Sequence, residues 1–363
     1  MNRRPNAVLD ELTEQLSEWL AGTGPDSDIV MSCRVRLARN LADFPFIRRC
    51  TDIDRVNIES AVRERLQSDQ RFGQFSFLNV ANLDDIDRQL LVERQLISRE
   101  LAGAEGARTV AIGPMEQQCV MINEEDHLRI QVIKSGFDLQ EAWRQIDELD
   151  DWIEERVDYA FDERLGYLTA CPTNVGTGMR VSVMMHLPAL GMSHQIERAF
   201  RGLQQINLVV RGLYGEGSQA MGDFYQISNQ ITLGRSEQEL LSRVGEVIPV
   251  LIDYERKARQ FLMSENHNDL FDQVMRAYGT LQNAQQISSQ ESLHLLSRIR
   301  LGINLGLLDE LAILVVNRLL INTQPAHLQK IHRKPLNSNQ RNIQRAVYLQ
   351  SQLGGNGDRS QRN

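Results

Sequence analysis

The stretch QQCVMINEEDHLRIQVI, Gln117 to Ile133, sets two short aliphatic runs on either side of a dense cluster of charge. Aliphatic and β-branched runs bounded by turn residues read as strands. RTVAIG (residues 108–113) and INLVVRG (206–212) have the same texture. These runs are half-apolar and no regular crossover helix separates them, which favours an antiparallel or mixed sheet over a doubly wound parallel one. Helical spacing appears between them, as in Leu139 to Tyr159, where Trp143, Ile146, Leu149, Trp152, Ile153 and Val157 recur. The fold class is therefore α+β, a sheet flanked by helices.

Beyond Gly234 the strand pattern stops. Ser236 to Glu239 reads as a capping box opening a helix that ends near Glu265. Further helices are expected at Asp269–Asn283, Ser288–Leu301, Leu307–Ile321 and Asn337–Leu353. The chain is thus expected to divide into a mixed domain over 1–256, an all-helical C-terminal domain over 257–353 serving self-association or regulation, and a disordered tail over 354–363.

Several function classes are excluded. Among 363 residues the formal charge is −8, which disfavours nucleic acid and anionic membrane as partners and favours basic ones. Cys33, Cys50, Cys119 and Cys171 form no CxxC pair, so a zinc ribbon or a disulfide framework is not expected. The start lacks a signal-peptide core, and the longest aliphatic run, Leu311 to Val316, is too short to span a bilayer. A cytoplasmic location follows as the expectation.

The chemistry concentrates in four stretches: SCRVRLARN (32–40), NEEDHLR (123–129), CPTNVGTGMRVSV (171–183) and RGLYGEGSQAMGDF (211–224). Arg34 and Arg36 are two residues apart, so on a strand both point to one face. Like charges side by side repel unless an anion neutralises them. With Arg129, Arg180 and Arg211 they could gather around a polyanion such as a nucleoside triphosphate. The chain has no G-x-x-x-x-G-K-[ST] loop, so a phosphate site here would rely on arginines. Taken alone, NEED also fits a solvated turn after a strand. Among the histidines, His127 reads as structural, and His186 as a satisfied core or near-site residue.

The order and spacing of SCRVR, NEEDHLR, CPTNVGTGMR and Arg211-Gly212 through Glu216 resemble the ATP:guanido phosphotransferase (phosphagen kinase) superfamily, and within it the bacterial protein-arginine kinases. The resemblance spans about Asp28 to Gly234. It implies ATP with Mg2+ as phosphoryl donor, held at the phosphates by Arg34, Arg36, Arg129, Arg180 and Arg211. It also implies Glu125 as the catalytic carboxylate and Glu216 as a second one on a Gly-rich loop. Cys171 would lie near the acceptor guanidinium, stabilising it without acting as a covalent nucleophile. Met184 falls where kinases of small guanidino compounds have histidine near the adenine, and is expected to pack against the base.

Small-molecule phosphagen kinases carry a helical domain before the first motif, which here begins at Ser32. The expected acceptor is therefore an exposed arginine in a protein. By family analogy the expectation extends to stress response, a Clp protease or chaperone, an activator protein and a homodimer. A small guanidino acceptor and a catalytically silent adaptor are the alternatives; the latter would be expected to lose Glu125, Glu216 or some of the arginines. The family's regulatory R-D-x-x-R-A motif appears as Arg341 to Ala346 with Asn342 in place of the acid. Asparagine cannot pair ionically with a guanidinium-type group, which argues against a working phosphoarginine pocket there.

Overall fold

The computed structural model describes residues 5–212 and 221–354. Its strands are β1 (Val30–Arg39), β2 (Ser76–Asn79), β3 (Thr109–Ile112), β4 (Gln118–Ile122), β5 (Leu128–Ser135), β6 (Phe161–Asp162), β7 (Gly166–Tyr167), β8 (Met179–His186), β9 (Leu208–Gly212) and β10 (Phe224–Asn229). The first half contributes helices α1 (Pro5–Glu14), α2 (Asp52–Ser68), α3 (Asp85–Glu93), α4 (Arg99–Gly103), α5 (Leu139–Glu154), α6 (Pro188–Met192) and α7 (Ile196–Gln205). The rest is helical: α8 (Glu237–Glu265), α9 (His267–Asn283), α10 (Ser289–Asn304), α11 (Ile313–Asn322), α12 (Pro325–Ile331) and α13 (Ser338–Gln352).

Among the described residues, eight strands form one sheet in the order β2-β3-β4-β5-β1-β8-β10-β9. Every neighbouring pair is antiparallel. The sheet is antiparallel throughout, as the half-apolar strand texture suggested. β1 lies at the centre because it is apolar on one face and basic on the other. Cys33, Val35 and Leu37 are buried in the main core with α2, α5 and α8, and burial pushes the Cys33 thiol up to about 12. Arg34 and Arg36 alternate with them and face the opposite side, as the two-residue period of a strand requires.

That opposite side is covered unevenly. Towards one end Met184, Ile133 and Phe224 pack with Trp19, Leu20 and the helices beyond α8 in a second core. Beside β3 and β4, Cys119, Met121, Val110 and Ile112 pack against α1, α3 and α4 in a third. Between these two cores the polar face of β5, β1 and β8 is left open. The site occupies this gap.

The helix starts follow their sequence signals. Ser236 accepts from the Glu239 amide while Glu239 accepts from the Ser236 amide, and Thr51/Asp54 and Asn337/Gln340 repeat this box. Each cap contributes about 1 kcal/mol. α8 runs unbroken to Glu265, as expected. The expected helix Leu307–Ile321 is shorter: Gly306 takes a left-handed conformation (φ 69) just past the end of α10, and the next helix begins only at Ile313. Leu308 in the intervening segment is buried, so its aliphatic residues serve the core without being helical. α12, which begins at Pro325, was not anticipated. No helix among the described residues is long and apolar enough to cross a membrane.

Candidate active site

A cavity of about 660 Å3 opens on the polar face of the sheet. Arg34 and Arg36 from β1, Arg129 from β5, Arg180 from β8 and Arg211 from β9 all line it, and so do Glu125 and Cys171. Seven of the eight residues expected at the site therefore meet in one place. The eighth, Glu216, lies outside the described residues.

The strand register places the basic groups. Arg36 is paired with Arg180 across β1 and β8, and Ala38 with Arg129 across β1 and β5. Arg34 lies two residues along from Arg36 on the same face. Directly opposed like charges are destabilising. Burial lowers the Arg34 guanidinium to about 10, helped by Arg129 and Arg180. Burial likewise brings Arg36 well below its ordinary range; Arg34, Arg129 and Arg180 add to this, and Glu124 opposes it. Arginine keeps its proton in proteins, so these directions mark a crowding of positive charge that an anion would relieve. The Arg36 Nε is buried and has no hydrogen-bond partner among the described residues. Buried donors are normally satisfied, and an anion's oxygens would satisfy this one.

The NEED turn joins β4 to β5, with Asn123 in a left-handed conformation (φ 61) and its amide donating to the His127 carbonyl at 2.9 Å. The turn's acids divide the work. Glu124 is buried and turned inward: it accepts from Arg129 Nη1 at 2.5 Å, from Ser98 Oγ at 2.5 Å and from the Glu125 amide at 2.7 Å. Glu125 is the more exposed of the turn's two acids that line the cavity, its side chain 32% exposed against 0% for Glu124, and its Oε2 is 3.7 Å from Arg129 Nη2. Burial raises the Glu125 carboxyl above its ordinary value; Arg129 opposes this, and Asp126, Glu124 and Glu100 add to it. Asp126 Oδ1 accepts from the Ala170 amide and from Asn40 Nδ2, both at 2.6 Å, which ties the Cys171 loop to the turn. Burial of its carboxyl raises that group too.

His127 is structural. Its Nδ1 accepts from the Leu41 amide at 2.9 Å, so its Nε2 carries the hydrogen and donates to the Pro45 carbonyl. Burial lowers its pKa and keeps it neutral.

Cys171 Sγ sits 3.0 Å from Thr173 Oγ1, and Thr169 Oγ1 donates to the Cys171 carbonyl at 2.7 Å. Thr232 Oγ1 contacts the Thr173 and Val175 carbonyls at 2.9 and 2.7 Å, holding the loop from its other side. Arg39 donates to the Thr177 carbonyl while paired with Asp150 at 2.5 Å beneath the Tyr167 ring. Gly178 is left-handed (φ 64) and packs against the Ala38 carbonyl, where a side chain would collide.

One expectation needs correcting. Met184 shares the face of Arg180, but it is 4% exposed in the second core and does not line the cavity. A packing role against a base does not fit this position. His186 is a satisfied core residue: it stacks on Phe224, accepts from Arg300 through Nδ1, and donates to Ser297 through Nε2. In the C-terminal motif Arg345 is buried and held by the Thr323 and Ile287 carbonyls and Asn342 Oδ1. The last is a hydrogen bond to a neutral amide where an acid would have made an ion pair.

Among the lining residues that escaped the sequence reading, Glu124 and Gln95 bear directly on the arginines. Glu124 carried a signal, as one of three adjacent acids, but nothing said which would turn inward. Gln95 carried none. Its Oε1 accepts from Arg34 Nη1 at 3.1 Å, and its backbone is left-handed (φ 62) at a cost of about 1 kcal/mol.

Comparisons with known proteins identify the family. Residues 57–258 match the model of the ATP:guanido phosphotransferase C-terminal catalytic domain. The chain belongs to the ATP:guanido phosphotransferase family. Residues 267–363 match the protein-arginine kinase McsB C-terminal domain. Curated relatives named protein-arginine kinase include those of Symbiobacterium thermophilum (47% identical over 93% of this chain and 96% of that one) and Halothermothrix orenii (42%, over 96% and 99%). Among solved structures, the duplicated taurocyamine kinase of Schistosoma mansoni aligns with a TM-score of 0.59 at 24% identity, over 68% of this chain and 35% of that one. Lombricine kinase aligns at 0.57 and 24% identity, over 69% and 76%. At that identity the two share the fold. The family match begins beyond β1, yet the central placing of this strand brings Arg34 and Arg36 to the same cavity.

One consequence concerns Glu124. Glu124→Ala removes the 2.5 Å partner of a mostly buried guanidinium and should destabilise the protein by about 3 kcal/mol, seen as a lower urea midpoint. An unchanged midpoint would show that Arg129 finds another partner.

Proposed function

We propose that the chain transfers the γ-phosphoryl group of ATP to the guanidinium of arginine side chains in proteins. The observation that carries this is the meeting, in one cavity, of an arginine cluster with an unsatisfied Nε and a half-exposed carboxylate of raised pKa beside Cys171. A guanidinium, with a pKa above about 12, arrives protonated and too poor in electrons to attack phosphorus. Glu125 holds it and accepts a proton from the attacking nitrogen as the N–P bond forms and the bond to the ADP oxygen breaks. The ADP leaves with its electron pair, and the proton on Glu125 returns to solvent. Arg34, Arg36, Arg129, Arg180 and Arg211 would hold the phosphates and offset charge on the transferring oxygens. Magnesium, when bound with the nucleotide, supplies further charge neutralisation. Glu216 would grip the guanidinium from a second side, and Cys171 would add stabilisation of the cation.

Further parts of this reading are the division at 256/257, which would fall within the continuous helix α8, and self-association as a homodimer. Val250, Tyr254 and Phe261 on α8 and Phe271 and Met275 on α9 are exposed, which supports such a contact. Action in the cytoplasm, dependence on an activator and delivery of marked proteins to a Clp protease belong to the same reading, by the family analogy drawn from the sequence motifs.

The test is incubation with MgATP and an arginine-rich protein, alongside free arginine, with phosphoarginine sought at neutral or alkaline pH because a phosphoramidate is acid-labile. Protein phosphoarginine that disappears on acidification is expected. Phosphorylation of free arginine alone would overturn the choice of acceptor, and no transfer to either would favour a silent adaptor.

A further inference from the structure

Gln95 stands immediately after α3, where the chain closes the helix by donating the Leu96 amide back to the Leu91 carbonyl at 2.9 Å and the Gln95 amide to the Val92 carbonyl at 3.0 Å. The residue at this point of such a closure is left-handed and is usually glycine, because a side chain there is strained. Glutamine in its place calls for a reason, and the contacts supply one. Its Oε1 accepts from Arg34 Nη1 at 3.1 Å, and its backbone carbonyl accepts from Gln131 Nε2 at 2.7 Å. Gln131 is the cross-strand partner of Arg36. One residue thus contacts Arg34 directly and, through Gln131, the strand beside Arg36, from outside the sheet.

Its mounting is rigid. The preceding Arg94 is buried, paired with Glu116, and donates to Ser17 Oγ at 2.8 Å and the Gln15 carbonyl at 3.1 Å. Glu93 accepts the Ala326 and His327 amides at 2.9 and 3.1 Å, fastening the same turn to the start of α12. The chemistry of the contact also matters. Arg34 sits among Arg129 and Arg180, which repel it, so it needs an acceptor to stay aimed into the cavity. A carboxylate would aim it but would take up the charge that a phosphate must find. An amide oxygen aims it and leaves that charge available.

We propose that Gln95 is a positioning residue for nucleotide binding: it holds the Arg34 guanidinium towards the phosphates, and the left-handed backbone is kept for that purpose. This rests on the reading of Arg34 as a phosphate ligand. Gln95→Gly removes the side chain at a position that suits glycine, so the fold should tolerate it. The expected result is a Tm equal to or above that of the unmodified protein, a KM for MgATP at least fivefold higher, and an unchanged KM for the protein acceptor. In an Arg34→Ala background the same substitution should add nothing to the KM for MgATP, because the group it positions is gone. An unchanged KM in Gln95→Gly would overturn the inference. So would a lowered Tm with both KM values raised, or a full additional effect in the Arg34→Ala background. If Arg34→Ala alone leaves the KM for MgATP unchanged, the phosphate assignment fails, and the inference fails with it for that separate reason.

Discussion

Glu125→Gln should bind MgATP as the unmodified protein does and lose turnover by about a thousandfold. The change keeps size and shape and removes only the capacity to take a proton. ATP binding survives because the main partner of Arg129 is Glu124 at 2.5 Å, whereas Glu125 stands 3.7 Å away. Arg129 and the arginines around it therefore keep their places when Glu125 becomes neutral. The same reasoning fixes a pH dependence. Glu125 must be ionised to accept the proton, and burial raises its pKa. Activity is present above that raised value and is lost as pH falls through it, at a higher pH than an ordinary glutamate would give. Equilibrium nucleotide binding and phosphoarginine formation, followed across pH under non-acidic work-up, would check both parts. Turnover within a fewfold of the unmodified protein would remove Glu125 from the proton-accepting role.

How much of this site could be read from the sequence depended on whether local pattern or distant packing decided each residue. Arg34 and Arg36 were legible because strand alternation alone puts them on one face, with Cys33, Val35 and Leu37 on the other. The turn between β4 and β5 was legible for the same local reason. The roles within it were not. Glu124, Glu125 and Asp126 are chemically alike, and only the approach of Ser98 and Ala170 from elsewhere in the fold separates the buried brace, the more exposed acid and the loop anchor. Gln95 touches Arg34 across 61 positions of chain and adopts a backbone conformation that its residue type does not suggest. Met184 was misjudged because helices far along the chain cover that end of the sheet, and no local pattern shows a cover. The over-long reading of Leu307–Ile321 has a similar origin: buried aliphatic residues of an irregular segment mimic a helical stripe.

Arg36→Met should make the ligand-free protein more stable and the enzyme nearly inactive. Arg36 faces Arg180 directly across the strands and has Arg34 beside it, while its Nε lies buried without a partner. Burial and three neighbouring cations all weigh against its charge, while Glu124 favours it. Methionine keeps much of the aliphatic stem and deletes the guanidinium, so repulsion and an unmet donor disappear without opening a large cavity. Replacing a poorly compensated buried charge in this way stabilises by about 1 kcal/mol or more, a rise in Tm of about 2 °C for a chain of this size. Catalysis moves the other way. A charged donor aimed at the transferring phosphoryl group is worth about a thousandfold in rate, so kcat/KM for MgATP should fall by about that factor. The two measurements also cross-check each other through the ligand: ATP should raise the Tm of the unmodified protein and leave that of the variant almost unmoved. A site built mainly for stability would respond in the opposite sense, with a lower Tm and surviving activity. That outcome would mean the arginine cluster serves the fold, because only a group whose repulsion is relieved by an incoming anion can be both costly at rest and indispensable in the reaction.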